Sequence, residues 1–187
     1  IDNVDGRLAG KSPSTALRIF STYSPSTATY VRNVDCWAHG YDLTAISPGN
    51  SGTNNLWAGV MVSPRHFVVC AHASMGVGAL LHLVKSDNTV ITRTISAITT
   101  LPGYVNYYPD IRVGVLDSDI PAGFTFAKVL PDNWPSKIPD LGTSYAIPAL
   151  TLDQEEKALV TDLYGLSSGP EFYGAMARYM TPTNTKR

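Results

Sequence analysis

Residues 57–74 read WAGVMVSPRHFVVCAHAS, and the order of runs and breaks in this stretch decides the fold. Trp57–Val62 is a short apolar run, Ser63-Pro64-Arg65 is turn chemistry, and Phe67–Ala71 is apolar throughout. Two such runs around a proline turn predict a pair of strands. The second run ends on Ala71-His72-Ala73. Alanines on both sides leave little bulk beside the imidazole, so His72 can stand at a crowded strand end with its ring turned to a cleft. A general base needs that freedom, because it must come within about 3 Å of the proton it removes.

The same texture continues outward through Ala79–Val84, Val90–Ile95 and Ile111–Leu116. These runs are rich in Val, Ile and Leu, and they are broken at Ser86-Asp87-Asn88 and Tyr108-Pro109-Asp110. Such a pattern predicts an all-β sandwich or barrel built from hairpins. Asp110 follows His72 by thirty-eight residues and opens the segment Asp-Ile-Arg-Val-Gly-Val-Leu. With a side-chain period of two, Ile111, Val113 and Val115 share one face. Asp110 then lies at the mouth of the strand. A histidine after an apolar strand is usually a packing residue, and Pro-Asp is usually a turn; the two patterned segments in this order outweigh both readings.

Together the segments resemble the trypsin/chymotrypsin family of serine peptidases. In that family a glycine-led strand, Ser-Pro-(Arg/Glu)-x and an apolar strand lead to Ala-Ala-His-Cys, and a later Asp-Ile-Ala-Leu-Leu-x-Leu supplies the aspartate. The resemblance implies a chymotrypsin-like double β-barrel, with residues 1–56 as N-terminal extension and first strands and 57–120 as the first barrel. It further implies an inter-barrel connection at 121–148 and the start of a second barrel at 149–187. The implied activity is peptide-bond hydrolysis of a polypeptide substrate, with no cofactor and no metal. His72 would serve as catalytic base, and Asp110 would fix its tautomer and stabilise the imidazolium. Two residues depart from the pattern: Cys70 precedes the Ala-His pair, and Ala73 stands where the family has a cysteine. The family's disulfide beside the histidine therefore cannot form in its usual way. Ile1-Asp2-Asn3-Val4 does not match Ile-Val-Gly-Gly, so no buried N-terminal ion pair is expected.

The family's Gly-Asp-Ser-Gly-Gly is absent, and its nearest counterpart is Gly165-Leu166-Ser167-Ser168-Gly169-Pro170. In one reading Ser167 attacks, and the backbone N–H groups of Gly165 and Ser167 form the oxyanion hole. In another the segment is a turn. A third reading takes Ala158–Leu163 and Phe172–Met180 as early strands of the second barrel and expects the serine on a segment or second chain following Arg187. Lys186-Arg187 is a dibasic site in a polar stretch, of the kind that is readily nicked. Ile1 in place of Met reads as a processed or trimmed chain.

The remaining features exclude more than they assign. Fifteen acidic and fourteen basic residues give a net charge of −1 with no Lys/Arg cluster, which argues against nucleic acid or an anionic membrane as partner. No apolar run approaches the roughly eighteen residues of a membrane span. Cys36 and Cys70 form either one disulfide or two buried thiols, and their spacing is not that of a zinc site. Asp2–Gly6 has the start of a calcium loop without its later ligands, and reads as a solvated turn. Ala16–Phe20 and Thr29–Val31 read as strand pieces, while Asp153–Val160 reads as a helix capped by Asp153 or as a strand from Lys157. His39, His66 and His82 lack any catalytic frame and read as surface or packing residues. Two other functions remain open: a non-catalytic relative kept as a binding module, and an unrelated β-barrel binding protein.

Overall fold

The structure is a computed structural model that describes residues 6–49, 58–73, 75–102, 110–129, 146–152, 158–164 and 175–176. The described chain is all-β, with little helix beyond the single turn α1 (Pro13–Ala16). Its strands are β1 (Phe20–Ser24), β2 (Thr29–Arg32), β3 (Val60–Met61), β4 (His66–Val69), β5 (Leu80–Val84), β6 (Val90–Thr100) and β7 (Arg112–Leu116), followed by β8 (Ala146–Leu152), β9 (Ala158–Tyr164) and β10 (Ala175–Met176). They form a two-stranded sheet β1-β2, a five-stranded sheet β3-β4-β7-β6-β5 and a three-stranded sheet β10-β9-β8, with every pairing antiparallel. Two compact units emerge, one of Phe20–Arg32 and Gly40–Lys128, the other of Ile1–Ile19, Asn33–His39 and Val129–Arg187.

The first unit carries the five-stranded sheet. Its core comprises Met61, Phe67, Val69, Ala73, Met75, Leu81, Leu83, Ile95, Leu116 and Ile120. The hairpin β3-β4 turns where the sequence places it: Val62 N–H donates to His66 O at 2.9 Å across Ser63-Pro64-Arg65. The β5-β6 hairpin turns at Asp87-Asn88, with Asn88 at φ +70°, a left-handed conformation that asparagine tolerates. Strand β6 is longer than its apolar run because a bulge between Ile95 and Ala97 interrupts the alternation. Ser96 fills the gap, its hydroxyl lying 3.0 and 3.1 Å from the Val115 and Leu116 carbonyls.

Residues from the stretch read as N-terminal extension and first strands take part in this unit. Arg32 N–H donates to Asn88 Oδ1 at 2.7 Å, and its guanidinium donates to Val84 O at 2.7 Å. The Tyr30 ring packs on the His82 ring at 5.9 Å. His82 is buried, with Nδ1 2.8 Å from Thr92 Oγ1, and burial pushes its imidazole below the ordinary value. It is a packing residue, whereas His39 and His66 are exposed.

Strand β7 keeps the expected period of two, but the core lies on the face opposite to the one its valines occupy. Gly114 and Leu116 are buried, while Val113 and Val115 are half-buried and Ile111 is exposed. The reason is Phe67, which is fully buried and pairs across the ladder with Gly114. A Cβ on Gly114 would overlap Phe67 Cζ and Cε1, and one on Gly59 would come within 2.9 Å of Phe67 Cδ2. The ring fills a slot that two glycines leave open. Gly114→Ala is expected to destabilise the fold by about 1–3 kcal/mol, the usual range for overpacking a full core. A lowered urea midpoint at unchanged m-value would show it.

In the second unit, Trp37 Nε1 donates to Ala158 O at 2.8 Å and Ala158 N–H donates to Leu17 O at 2.7 Å. These bonds join the start of β9 to Leu17, just after α1, and to Trp37, after β2. The region read as Ala16–Phe20 strand is instead the end of α1, a link and the first residue of β1. The cause is Ser12-Pro13, which sets proline in the first turn of a helix, where its missing N–H costs nothing. From Ala158 the chain is strand, as one of the two readings held, and Asp153 lies outside the described residues. Cys36 is a buried thiol 3.9 Å from Leu17 O, and Cys70 is a half-buried thiol. No disulfide joins them, which selects thiols over the bridge.

Candidate active site

The site forms where β4 ends and β7 begins. These strands are antiparallel neighbours with Val69 opposite Arg112, so the chain leaving β4 must pass the chain entering β7. One further backbone bond extends the ladder, from Ala71 N–H to Asp110 O at 3.1 Å. The chain then turns, with Ala73 N–H donating to Cys70 O at 3.2 Å. Ala73 and Met75 go into the core at 2% and 5% exposure, while His72, just before them in the turn, is exposed. The alanine after the histidine is thus a core residue with little space around it. A strand end, a tight turn and two buried anchors present one imidazole to solvent.

Asp110 grips that residue twice. Its Oδ1 accepts the backbone N–H of His72 at 2.8 Å, and its Oδ2 lies 2.5 Å from His72 Nδ1. The bond from the His72 backbone N–H, and after it the bond to the ring, hold the Asp110 carboxyl below the usual carboxylate range. An ionised carboxylate can only accept, so the proton between Nδ1 and Oδ2 belongs to the ring. In the neutral imidazole this puts the hydrogen on Nδ1 and leaves Nε2 with its lone pair. That is the tautomer a general base requires.

Both side chains are open to solvent, at 64% for His72 and 54% for Asp110. Ion pairs so exposed add little to stability, since water screens them and two side chains must be held still. The geometry is therefore costly to explain as a fold-stabilising device. It does hold the imidazole in one orientation at the solvent-exposed surface.

The two segments that sequence alone singled out are thus together at hydrogen-bond distance. Ser167 and Gly165 lie outside the described residues. Among the described residues no group of three or more His, Cys, Asp and Glu side chains is arranged to hold a metal ion, and no helix is long and apolar enough to cross a membrane. Sequence reasoning missed Arg112, whose guanidinium reaches Ala73 O at 3.3 Å and Met75 O at 2.9 Å. Its signal was a charged residue at the same parity as the core-facing Gly114 and Leu116.

No family model matches the chain, and no curated protein matches it. Among solved structures it is similar to neuropsin, described as a serine protease expressed in the limbic system of mouse brain. The two share 18% identity with a TM-score of 0.40, over 59% of this chain and 55% of neuropsin. The match therefore spans little more than half of neuropsin's length.

Proposed function

We propose that this chain belongs to a serine endopeptidase of chymotrypsin type, with a double-barrel fold and His72 and Asp110 as two members of its catalytic triad. The observation that carries the reading is the double grip of Asp110 on His72, on the backbone N–H at 2.8 Å and on ring Nδ1 at 2.5 Å. A grip of that kind fixes the ring in the Nδ1–H tautomer and aims Nε2 outward. The chemistry follows from this. His72 Nε2 takes the hydroxyl proton of a serine as its oxygen attacks the scissile carbonyl of a polypeptide. The imidazolium then gives that proton to the leaving amine, and an acyl-enzyme remains. In the second half His72 activates water in the same way, and the acid product leaves. Asp110 stabilises the imidazolium in both halves without taking the proton. Neither a cofactor nor a metal enters the scheme.

The nucleophile is proposed to lie on a segment or second chain following Arg187, with Ser167 and the Gly165 N–H as the candidates within the chain. A fluorophosphonate probe phosphonylates an activated serine and decides between them. Labelling is expected on the complete molecule, and mass spectrometry of the labelled peptide locates the serine. Absence of labelling would favour a binding module instead, a reading supported by the missing Gly-Asp-Ser-Gly-Gly motif.

A further inference from the structure

His72 is held from one side by Asp110, and the structure shows a second hold on the other. Its peptide group is fixed on the N-terminal side by Asp110, through Ala71 N–H to Asp110 O at 3.1 Å and His72 N–H to Asp110 Oδ1 at 2.8 Å. On the C-terminal side the carbonyl of the next residue, Ala73, accepts from Arg112 Nη1 at 3.3 Å, and the Met75 carbonyl accepts from the same nitrogen at 2.9 Å. Arg112 Nε lies 3.3 Å from Thr100 Oγ1, so neighbouring strand β6 steadies the guanidinium. Arg112 opens β7 two residues after Asp110. Both side chains bond to the chain around His72.

We propose that Arg112 is a positioning residue for the His72–Asp110 pair: it locks the Cys70–Ala73 turn and Met75 to β7, so that the imidazole stays in register with the Asp110 carboxylate. The inference rests on the peptidase reading for its catalytic consequence, and on geometry alone for its structural one. An imidazole exposed to 64% has few packed neighbours to fix its direction, so the backbone beneath it must do so. A planar guanidinium suits this task because its donors are fixed in one fork, whereas a lysine ammonium is a single mobile donor point. Misplacing a reacting group by about 1 Å costs up to ~100-fold in rate.

The test compares wild type, Arg112→Met and Arg112→Lys in the complete molecule. Two measurements are read: the Asp110 titration midpoint by carbon-detected NMR, and the rate of fluorophosphonate labelling. Arg112→Met keeps most of the apolar stem and removes every donor. It is expected to raise the Asp110 midpoint toward the ordinary carboxylate value, because the ring and the backbone N–H leave Oδ2 and Oδ1. It is also expected to slow labelling by about 10- to 100-fold, mainly in the step after probe binding. Arg112→Lys should recover part of both. A merely structural arginine would change the melting temperature while the folded fraction kept a wild-type midpoint and labelling rate, and that result would overturn the proposal. If Arg112→Met does not fold, Arg112→Lys decides: wild-type values for both readouts overturn the proposal, and intermediate values support it. A wild type that is not labelled would overturn the peptidase reading, and the Asp110 midpoint would still decide the positioning role.

Discussion

Replacing His72 by alanine is expected to abolish fluorophosphonate labelling and to lower kcat for peptide hydrolysis by ~10^6-fold, the scale seen when a triad base is removed. In the proposed mechanism nothing takes the serine proton without Nε2, and the hydroxyl is a weak nucleophile at neutral pH. The residue rate would come from substrate binding and the oxyanion hole. The fold should survive, because the lost side chain is 64% exposed and its turn is held by backbone bonds from Ala71 and Ala73. Circular dichroism melts of the variant should therefore overlay those of the wild type. A variant that keeps its labelling rate would show that the imidazole plays no part in activating the serine.

Asp110→Asn is expected to cost ~10^4-fold in kcat with little change in KM or in the unfolding midpoint. The new amide keeps an oxygen for the His72 backbone N–H, but its NH2 must face the ring. A donor there forces Nδ1 to accept, which moves the ring proton to Nε2 and leaves no base toward the serine. The pH behaviour follows from the depressed carboxyl of Asp110. A group whose folded value lies below its unfolded one contributes stability above the unfolded value, about 3.9, and loses it as pH falls through the lower folded value. Asp110 thus stays ionised across the neutral range, and activity lost on acidification above about pH 4 does not come from its protonation. Steady-state rates from pH 4 to 9 on both proteins check this, together with melts at each pH. Equal kcat values would remove Asp110 from the mechanism.

The His72–Asp110 pair could be read from sequence because each half lies beside a strand, β4 or β7, whose apolar pattern survives in the fold. Phe67 and Val69 are buried on β4, and the chain beyond them can only leave the sheet at the end where β7 begins. Other elements were hidden for physical reasons. Pro148 read as a break, yet β8 runs through it in register with Asp162, because β8 is an edge strand and needs no N–H on its open side. The bulge at Ser96 broke the alternation of β6, so its last residues did not register as strand. Which face of β7 is buried could not be read, since glycine carries no hydrophobic signal and Gly114 is the residue that admits Phe67. Arg112 went unread, because its carbonyl partners lie on a turn distant in sequence and only its parity with Gly114 and Leu116 marks it.

Nitrogen-15 NMR of the His72 ring at neutral pH and above tests the central claim most directly. In the neutral form of the ring the account predicts protonation at Nδ1, with Nε2 showing the shift of a bare nitrogen, and loss of that pattern in Asp110→Asn. A ring protonated at Nε2, or one whose two nitrogens exchange their proton freely and ignore the Asp110 substitution, would contradict it.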